Sequence, residues 1–333
     1  MHSRAIITIE NNDCKIWNRD QVIMDLMQAI QQDNDLIVHL NNEGPCAEAL
    51  GVYKLLDEIC SRYPYDSRRI TIKTCNLLEH SDKYCISISP PTKHIVDLQQ
   101  MILDGSVPPK QINTKIQHFG HFIGHSSRAR LIISSWLYKN YQNKTLQTFH
   151  TTPRDTLHQE FIGLEDIWLN DYEDQYIDYA VEFLKHTPLM YDPVDDGPIL
   201  DMKMYGIMDA YKNIFVDIVC NTYISGNTFY LDEKLWRPIM TKTPFIVHGP
   251  RNFIKNMQRL GFKTFDRWWD EGFSEDPPDV QVVEIIKIID EIAQWDLTRI
   301  HTTYDQMKSV LDHNYKRFME LNNKEFNKRF LYD

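Results

Sequence analysis

The sequence predicts an α/β chain of two domains, each built on a parallel sheet. Three observations carry this. At 333 residues the chain exceeds what one compact core usually encloses. Its composition, 42% hydrophobic and 25% charged, is that of a folded globular protein. Both halves repeat one order of elements, in which an apolar strand leads through a short polar loop into an amphipathic helix.

The elements follow in chain order. Ile6-Ile7-Thr8-Ile9 reads as a short strand, and residues 34–41 as a buried one. The turn Asn42-Glu43-Gly44-Pro45 leads into a helix over residues 46–62, where Leu50, Tyr53, Leu56 and Cys60 recur at helical spacing. A strand over residues 69–75 completes a β-turn-α-β unit, so Glu43 falls at the C-terminal end of a strand, where open α/β sheets bind ligands. Ser89-Pro90-Pro91 and the polar stretch 104–113 read as a linker region.

The pattern then restarts. Residues 116–123 form a strand, 126–141 a helix with Ala129, Ile132, Ile133, Trp136 and Leu137 on one face, and 144–149 the next strand. Residues 150–205, rich in Asp and aromatic residues, read as an irregular insertion with helical character near 175–185. Strands are expected over 214–220 and 244–248, and a helix over 251–260 stopped by Gly261. Two tail helices should bury Val283, Ile286, Ile289 and Ala293 in the first and Tyr304, Met307, Leu311 and Tyr315 in the second. The expected domains are therefore 1–112, then 113–278 with the insertion, and a C-terminal helical segment, 279–333, packed on or across them.

A formal charge of -11 works against broad attraction to nucleic-acid phosphates or anionic lipid, while leaving room for a local basic pocket. No run approaches the roughly 18 apolar residues of a membrane span, and no export signal is read at the start. The six cysteines are scattered without a CxxC pair, which fits reduced thiols, a cytoplasmic setting and no structural zinc.

The chemistry-bearing stretch begins at Val216-Asp217-Ile218-Val219-Cys220-Asn221-Thr222 and runs on to Leu231-Asp232-Glu233-Lys234-Leu235-Trp236-Arg237-Pro238. A polar loop followed by two cations, Lys234 and Arg237, makes a phosphate site. Pro238 requires that a helix either begin near Arg237 or kink there. The run Asp232 to Trp236, followed by Pro244-Phe245-Ile246-Val247-His248-Gly249-Pro250, resembles the donor signature of fucosyltransferases, a Thr-Glu-Lys-Leu-Trp run before a Pro-Val-apolar-apolar-Gly segment. It resembles still more closely a wider bacterial and viral fucosyltransferase-like group, with Glu-Lys-x-x-Arg-Pro-Ile followed by Gly-Phe-Lys-Thr-Phe and Trp-Trp-Asp-Glu, here residues 261–265 and 268–271.

That resemblance implies a GT-B arrangement, two Rossmann-like domains facing across a cleft, and an inverting glycosyltransferase whose substrate is a nucleotide-diphosphate sugar, with guanosine diphosphate as the indicated carrier. Carried over to this chain, Glu233 holds ribose or sugar hydroxyls and Lys234 the diphosphate; Arg237 is added from its own position. The phosphate-gripping Arg of the group's strand-loop-helix corresponds to Arg128 in His125-Ser126-Ser127-Arg128, with Arg130 as its competitor. The group has a carboxylate where this chain has Asn221, which can hydrogen-bond a hydroxyl but cannot act as a base.

Glu43 is the leading acceptor base, with His39 second, although Glu43 could equally cap the following helix. His118, His121 and His125 read as packing or hydrogen-bonding residues, with His118, His121 and Ser126 as further candidates for the cleft wall. Trp268 and Trp269 read as core, and residues 270–276 as a solvated acidic loop. Asp195-Asp196 lies in a turn, so no metal and no cofactor is expected. The acceptor is a saccharide or another hydroxyl. A viral transferase acting on a modified nucleobase would need a basic groove, and an inactive nucleotide-sugar-binding protein is the rival outside the enzymes.

Overall fold

The computed structural model of the chain describes residues 3–11, 16–40, 44–90, 92–110, 112, 115–124, 127–150, 174–190 and 204–331. Two four-stranded parallel sheets organise them. The first orders β1 (Arg4–Thr8), β2 (Asp35–His39), β3 (Ile70–Thr74) and β4 (Cys85–Ile88) side by side in chain order. Helices α1 (Arg19–Gln31) and α2 (Val52–Arg62) make its first two crossovers. Because the sheet grows in one direction and crossovers share one hand, both helices fall on one face. There Ile7, Leu36, Val38, Ile70 and Ile72 are buried, while Ile6 on the opposite face is 70% exposed.

The second sheet is wound differently. Its order is β6-β5-β7-β8, formed by β5 (Gln117–Ile123), β6 (Thr145–Phe149), β7 (Ile214–Cys220) and β8 (Phe245–His248). The chain builds outward from β5 to β6 and then, after an excursion, from β7 to β8 in the other direction. The helices after β5 and β7 therefore cover opposite faces, and a crevice opens where β5 and β7 end. All seven residues of β7 are buried, as expected of a parallel strand covered on both sides.

In chain order α3 (Thr92–Leu103) lies between the two sheets, flanked by the two stretches read as linker, Ser89-Pro90-Pro91 and 104–113. Ile95 and Leu98, three residues apart, give it an apolar face that joins the core of the second sheet, and Gln99 Nε2 donates to Phe318 O at 2.8 Å. The second sheet carries α4 (Arg128–Tyr141), against which α5 (Asp174–Leu184) packs. After α6 (Met204–Ala210) come β7, α7 (Glu233–Met240), β8 and α8 (Phe253–Arg259). The tail forms α9 (Pro278–Ile292), which packs on α4 and β8, and α10 (Leu297–Glu320), which packs on α7.

Several boundaries depart from the sequence reading. Helix α2 starts at Val52 rather than residue 46, because Gly51 adopts a left-handed conformation (φ 72°) that separates the preceding turn from the helix. The inward stripe of α9 is Val282, Ile285, Ile286, Ile289 and Ile292, with Val283 only partly buried, and on α10 Asn314 takes the inner place expected for Tyr315. Asn314 does so because its side chain pairs with the backbone of Lys263, accepting from its N–H and donating to its carbonyl, each at 2.8 Å. The expected acidic loop is partly a core element: Glu271 is 9% exposed, and burial raises its carboxyl to about 7. Among the described residues no helix is long and apolar enough to cross a membrane.

Candidate functional site

The crevice at the ends of β5 and β7 gathers most of the predicted donor residues that the structure describes. Arg130, in the first turn of α4, points back across the sheet and is 2% exposed. Its Nη2 donates to Cys220 O at 3.0 Å and to Thr222 Oγ1 at 3.2 Å, at the end of β7. Lys234, in the first turn of α7, reaches the same hydroxyl: Nζ donates to Thr222 Oγ1 at 3.3 Å. Cations from two distant stretches thus meet on one oxygen. Thr222 is the residue the motif reading passed over, although it ended the quoted strand and precedes the polar loop.

Helix α7 begins at Glu233, neither at Arg237 nor with its first turn disrupted by Pro238. Asp232 is its N-cap, accepting from the backbone N–H of Lys234 at 3.1 Å and of Leu235 at 3.4 Å. Pro238 lies within the helix and has no N–H to donate to the preceding turn.

The Lys234 ammonium also holds Glu233 Oε1 at 2.7 Å and Asp232 Oδ2 at 3.2 Å, with the three side chains only 3–11% exposed. Burial opposes ionisation of Glu233, but Lys234 and Arg237 outweigh it and hold that carboxyl at about 2. Asp232 is displaced the other way, upward, by burial against the attraction of Lys234 and alongside the Glu233 charge. The helix N-terminus is thus already occupied by a carboxylate, and an incoming anion meets the ammonium rather than free helix N–H groups.

Arg237 is one turn further along α7 and 1% exposed; its Nε and Nη2 have no hydrogen-bond partner among the described residues. It lines a cavity of about 10 Å³ with Phe122, Tyr211, Asp217, Cys220 and Lys234. That volume holds one water molecule, so a diphosphate enters only if the walls part. Below it, Tyr211 donates its hydroxyl to Asp217 Oδ2 at 2.5 Å. Burial raises the Asp217 carboxyl to about 7 despite Tyr211, Arg237 and Lys110, and lowers the Lys110 ammonium to about 7. Lys110 donates to Tyr211 O and Thr243 Oγ1, both at 2.9 Å, and to Ile214 O.

Asn221 sits at the rim, 6% exposed, its backbone N–H bonded to His248 O at 2.9 Å and its Oδ1 without a partner among the described residues. Gly249 packs closely opposite it, and a Cβ there would lie 3.0 Å from Asn221 Nδ2 and push that side chain aside by a few tenths of an ångström.

His118 and His121 do not line this crevice. His118 stands near the start of β5, the other end of the strand, with Nε2 donating to Trp295 O at 2.8 Å. His121 is fully enclosed: Nδ1–H donates to Ile218 O at 2.8 Å, so Nε2 accepts from the Ser134 hydroxyl at 2.9 Å. These bonds place both rings in the packed interior, where His121 is driven down to about 4 by burial. Among the described residues no group of three or more His, Cys, Asp or Glu could hold a metal.

His39 ends β2 half-buried, beside Lys73 in the register of β3, and burial followed by the Lys73 charge lowers its pKa. Glu43, His125, Ser126 and Asp195-Asp196 lie outside the described residues, as does the Arg128 side chain, although Arg128 opens α4. A larger cavity, about 300 Å³, lies between residues 269–276 and α9. Its wall carries Asp270, Asp276, Glu284 and Glu291 against one cation, Lys287, and would repel a diphosphate.

Segments that follow the strands of the two sheets meet beside the crevice. Leu77 N, just past β3, donates to Phe229 O at 3.0 Å, and Thr228 Oγ1 donates to Gly44 O at 2.6 Å. The C-terminal ends of both sheets thus border the segment 222–232. Comparison with protein-family models, curated proteins and solved structures gives no match to this chain.

Proposed function

We propose that the chain is a glycosyltransferase of GT-B architecture that binds a nucleotide-diphosphate sugar where β5 and β7 end. The convergence of Arg130 and Lys234 on Thr222 carries this reading. A departing diphosphate accumulates negative charge as its bond to the anomeric carbon breaks, and two preorganised cations in a partly dry crevice stabilise that charge. The architecture is supported by two parallel sheets whose C-terminal ends border one segment, the position at which open α/β sheets bind ligands.

In this reading the donor displaces Glu233 and Asp232 from Lys234, freeing Glu233 for ribose or sugar hydroxyls, with Asn221 Oδ1 as a further acceptor. Arg237 contributes from beneath through its unpartnered N–H groups. An acceptor hydroxyl attacks the anomeric carbon, the carbon–oxygen bond to the diphosphate breaks with its electron pair leaving on the diphosphate, and the acceptor proton passes to a base. His39, kept neutral near pH 7 by burial and Lys73, is the base offered by the described residues. A guanosine carrier rests on the sequence resemblance.

Calorimetric titration with guanosine diphosphate, followed by assay of sugar release from a panel of nucleotide sugars, tests the proposal. Saturable binding together with release or transfer supports it. Binding without turnover under any acceptor leaves a nucleotide-sugar-binding protein, and no binding of any nucleoside diphosphate ends the reading.

A further inference from the structure

Asn76 belongs to the first domain, two residues beyond β3, and is completely enclosed. Its side-chain amide uses all of its hydrogen-bonding capacity. Oδ1 accepts from Phe229 N at 2.9 Å and Leu78 N at 3.1 Å; Nδ2 donates to Asn227 O at 3.0 Å and Glu79 Oε2 at 3.2 Å. Two of these four partners lie in the second domain, in the segment 222–232.

The surroundings hold Asn76 in turn. Glu79 accepts from Ala47 N at 3.0 Å and from the Tyr53 hydroxyl at 2.5 Å, so the carboxylate that orients the amide is itself fixed. The segment is seated at further points, through Thr228 on Gly44 and through Gly226. The latter has φ 71° and lies so close to Ala49 and Cys46 that a Cβ would approach each to 2.8 Å. Phe229 is fully buried, with ring centroids 5.2 Å from Phe253 and 5.4 Å from Phe330.

This segment begins and ends at the proposed donor site. Thr222 bridges Arg130 and Lys234 at one end, and Asp232 caps α7 at the other. The stretch carries no helix or strand of its own, so contacts to the first domain fix its course.

We propose that Asn76 is a positioning residue for the site in the other domain: it holds the segment 222–232 so that Thr222 stays between Arg130 and Lys234. Diphosphate affinity in the second domain then depends on a side chain of the first. The nature of the ligand rests on the glycosyltransferase reading, whereas the clamp itself does not.

The test uses the full chain with Asn76→Ala and, as the milder variant, Thr228→Val, which removes only the hydroxyl bonded to Gly44. Amide hydrogen exchange is followed by mass spectrometry, and affinity for guanosine diphosphate is measured alongside. In either variant, exchange over residues 222–234 rises about tenfold or more, since each lost bond changes a local opening equilibrium by roughly that factor. Exchange in β1, β2 and β3 stays at the wild-type level, and guanosine diphosphate binds about tenfold more weakly.

Should Asn76→Ala not fold, Thr228→Val carries the test. Unchanged exchange over 222–234 in a folded variant overturns the clamp, and unchanged affinity despite faster exchange overturns its link to the site. A wild-type protein that binds no guanosine diphosphate overturns the glycosyltransferase reading alone, and exchange then decides the clamp by itself.

Discussion

Arg130 and Lys234 donate to a single oxygen, the hydroxyl of Thr222, at 3.2 and 3.3 Å. Two cations gathered at a part-buried hydroxyl repel one another, and the adjacent Asp232 and Glu233 carboxylates offset that repulsion. An anion with several charges is a natural replacement for those carboxylates, so the arrangement is compatible with exchange of an internal partner for a ligand.

The first prediction concerns that internal partner. Lys234→Met leaves two buried carboxylates facing each other and should lower stability by about 3–5 kcal/mol. Adding Glu233→Gln removes one of the stranded charges and should recover a large part of the loss. Urea unfolding of the single and double variants checks this; equal loss in both would mean that the pair is solvated.

A second prediction follows from His121 and His248. His248 donates Nε2–H to Pro278 O at 2.9 Å, and burial drives it, like His121, to about 4. The folded state keeps both rings neutral, whereas the unfolded chain takes up protons below its ordinary histidine value of 6.5. Stability therefore falls as pH drops from about 6.5 to about 4, by up to about 3 kcal/mol for each ring. Replacing His248 by Gln should flatten that part of the stability curve, and an unchanged slope would count against the burial.

Glu271 has the opposite sign. Its folded carboxyl sits at about 7, above the ordinary 4.5, so the folded state retains a proton that the unfolded chain has lost between those values. Stability should decline as pH rises from about 4.5 to about 7, and Glu271→Gln should be more stable than wild type at pH 8 by about 1–3 kcal/mol and equal to it near pH 4. Chemical unfolding at the two pH values reads the difference directly.

Gly120 provides a packing test beside the crevice. A Cβ there would overlap Ile214 Cδ1 and approach Phe122 Cε2 to 3.0 Å, between β5 and β7. Gly120→Ala should cost about 1–3 kcal/mol through forced repacking, measurable as a lower thermal midpoint. A neutral result would mean that Ile214 moves aside freely.

The strands that carry the site were legible because β5, β7 and β8 are short apolar runs bounded by turn residues. β4 was not, since Cys85 and Ser87 alternate with Ile86 and Ile88 on a weakly buried edge. α3 was hidden by the prolines flanking it, although Ile95 and Leu98 carry its apolar face.

Within the site, Pro238 pointed to a helix start near Arg237 or a kink, whereas α7 begins at the Glu-Lys pair with Asp232 as its cap, and the pairing of Lys234 with its own Glu233 depends on burial that spacing does not reveal. Arg130 reaches the end of β7 because the turn into α4 sets the phase of that helix, which residue spacing alone does not fix. Asn76 was out of reach for a different reason. Its partners at 227 and 229 lie about 150 residues away in the chain and become neighbours only in the folded structure.

A crystal structure of the protein with guanosine diphosphate tests the central claim most directly. The account predicts diphosphate oxygens within about 2.7–3.2 Å of both the Arg130 guanidinium and the Lys234 ammonium, with Glu233 swung off the lysine. A nucleotide bound elsewhere, or a crevice that stays closed around the Lys234–Glu233 pair at saturating ligand, would contradict it.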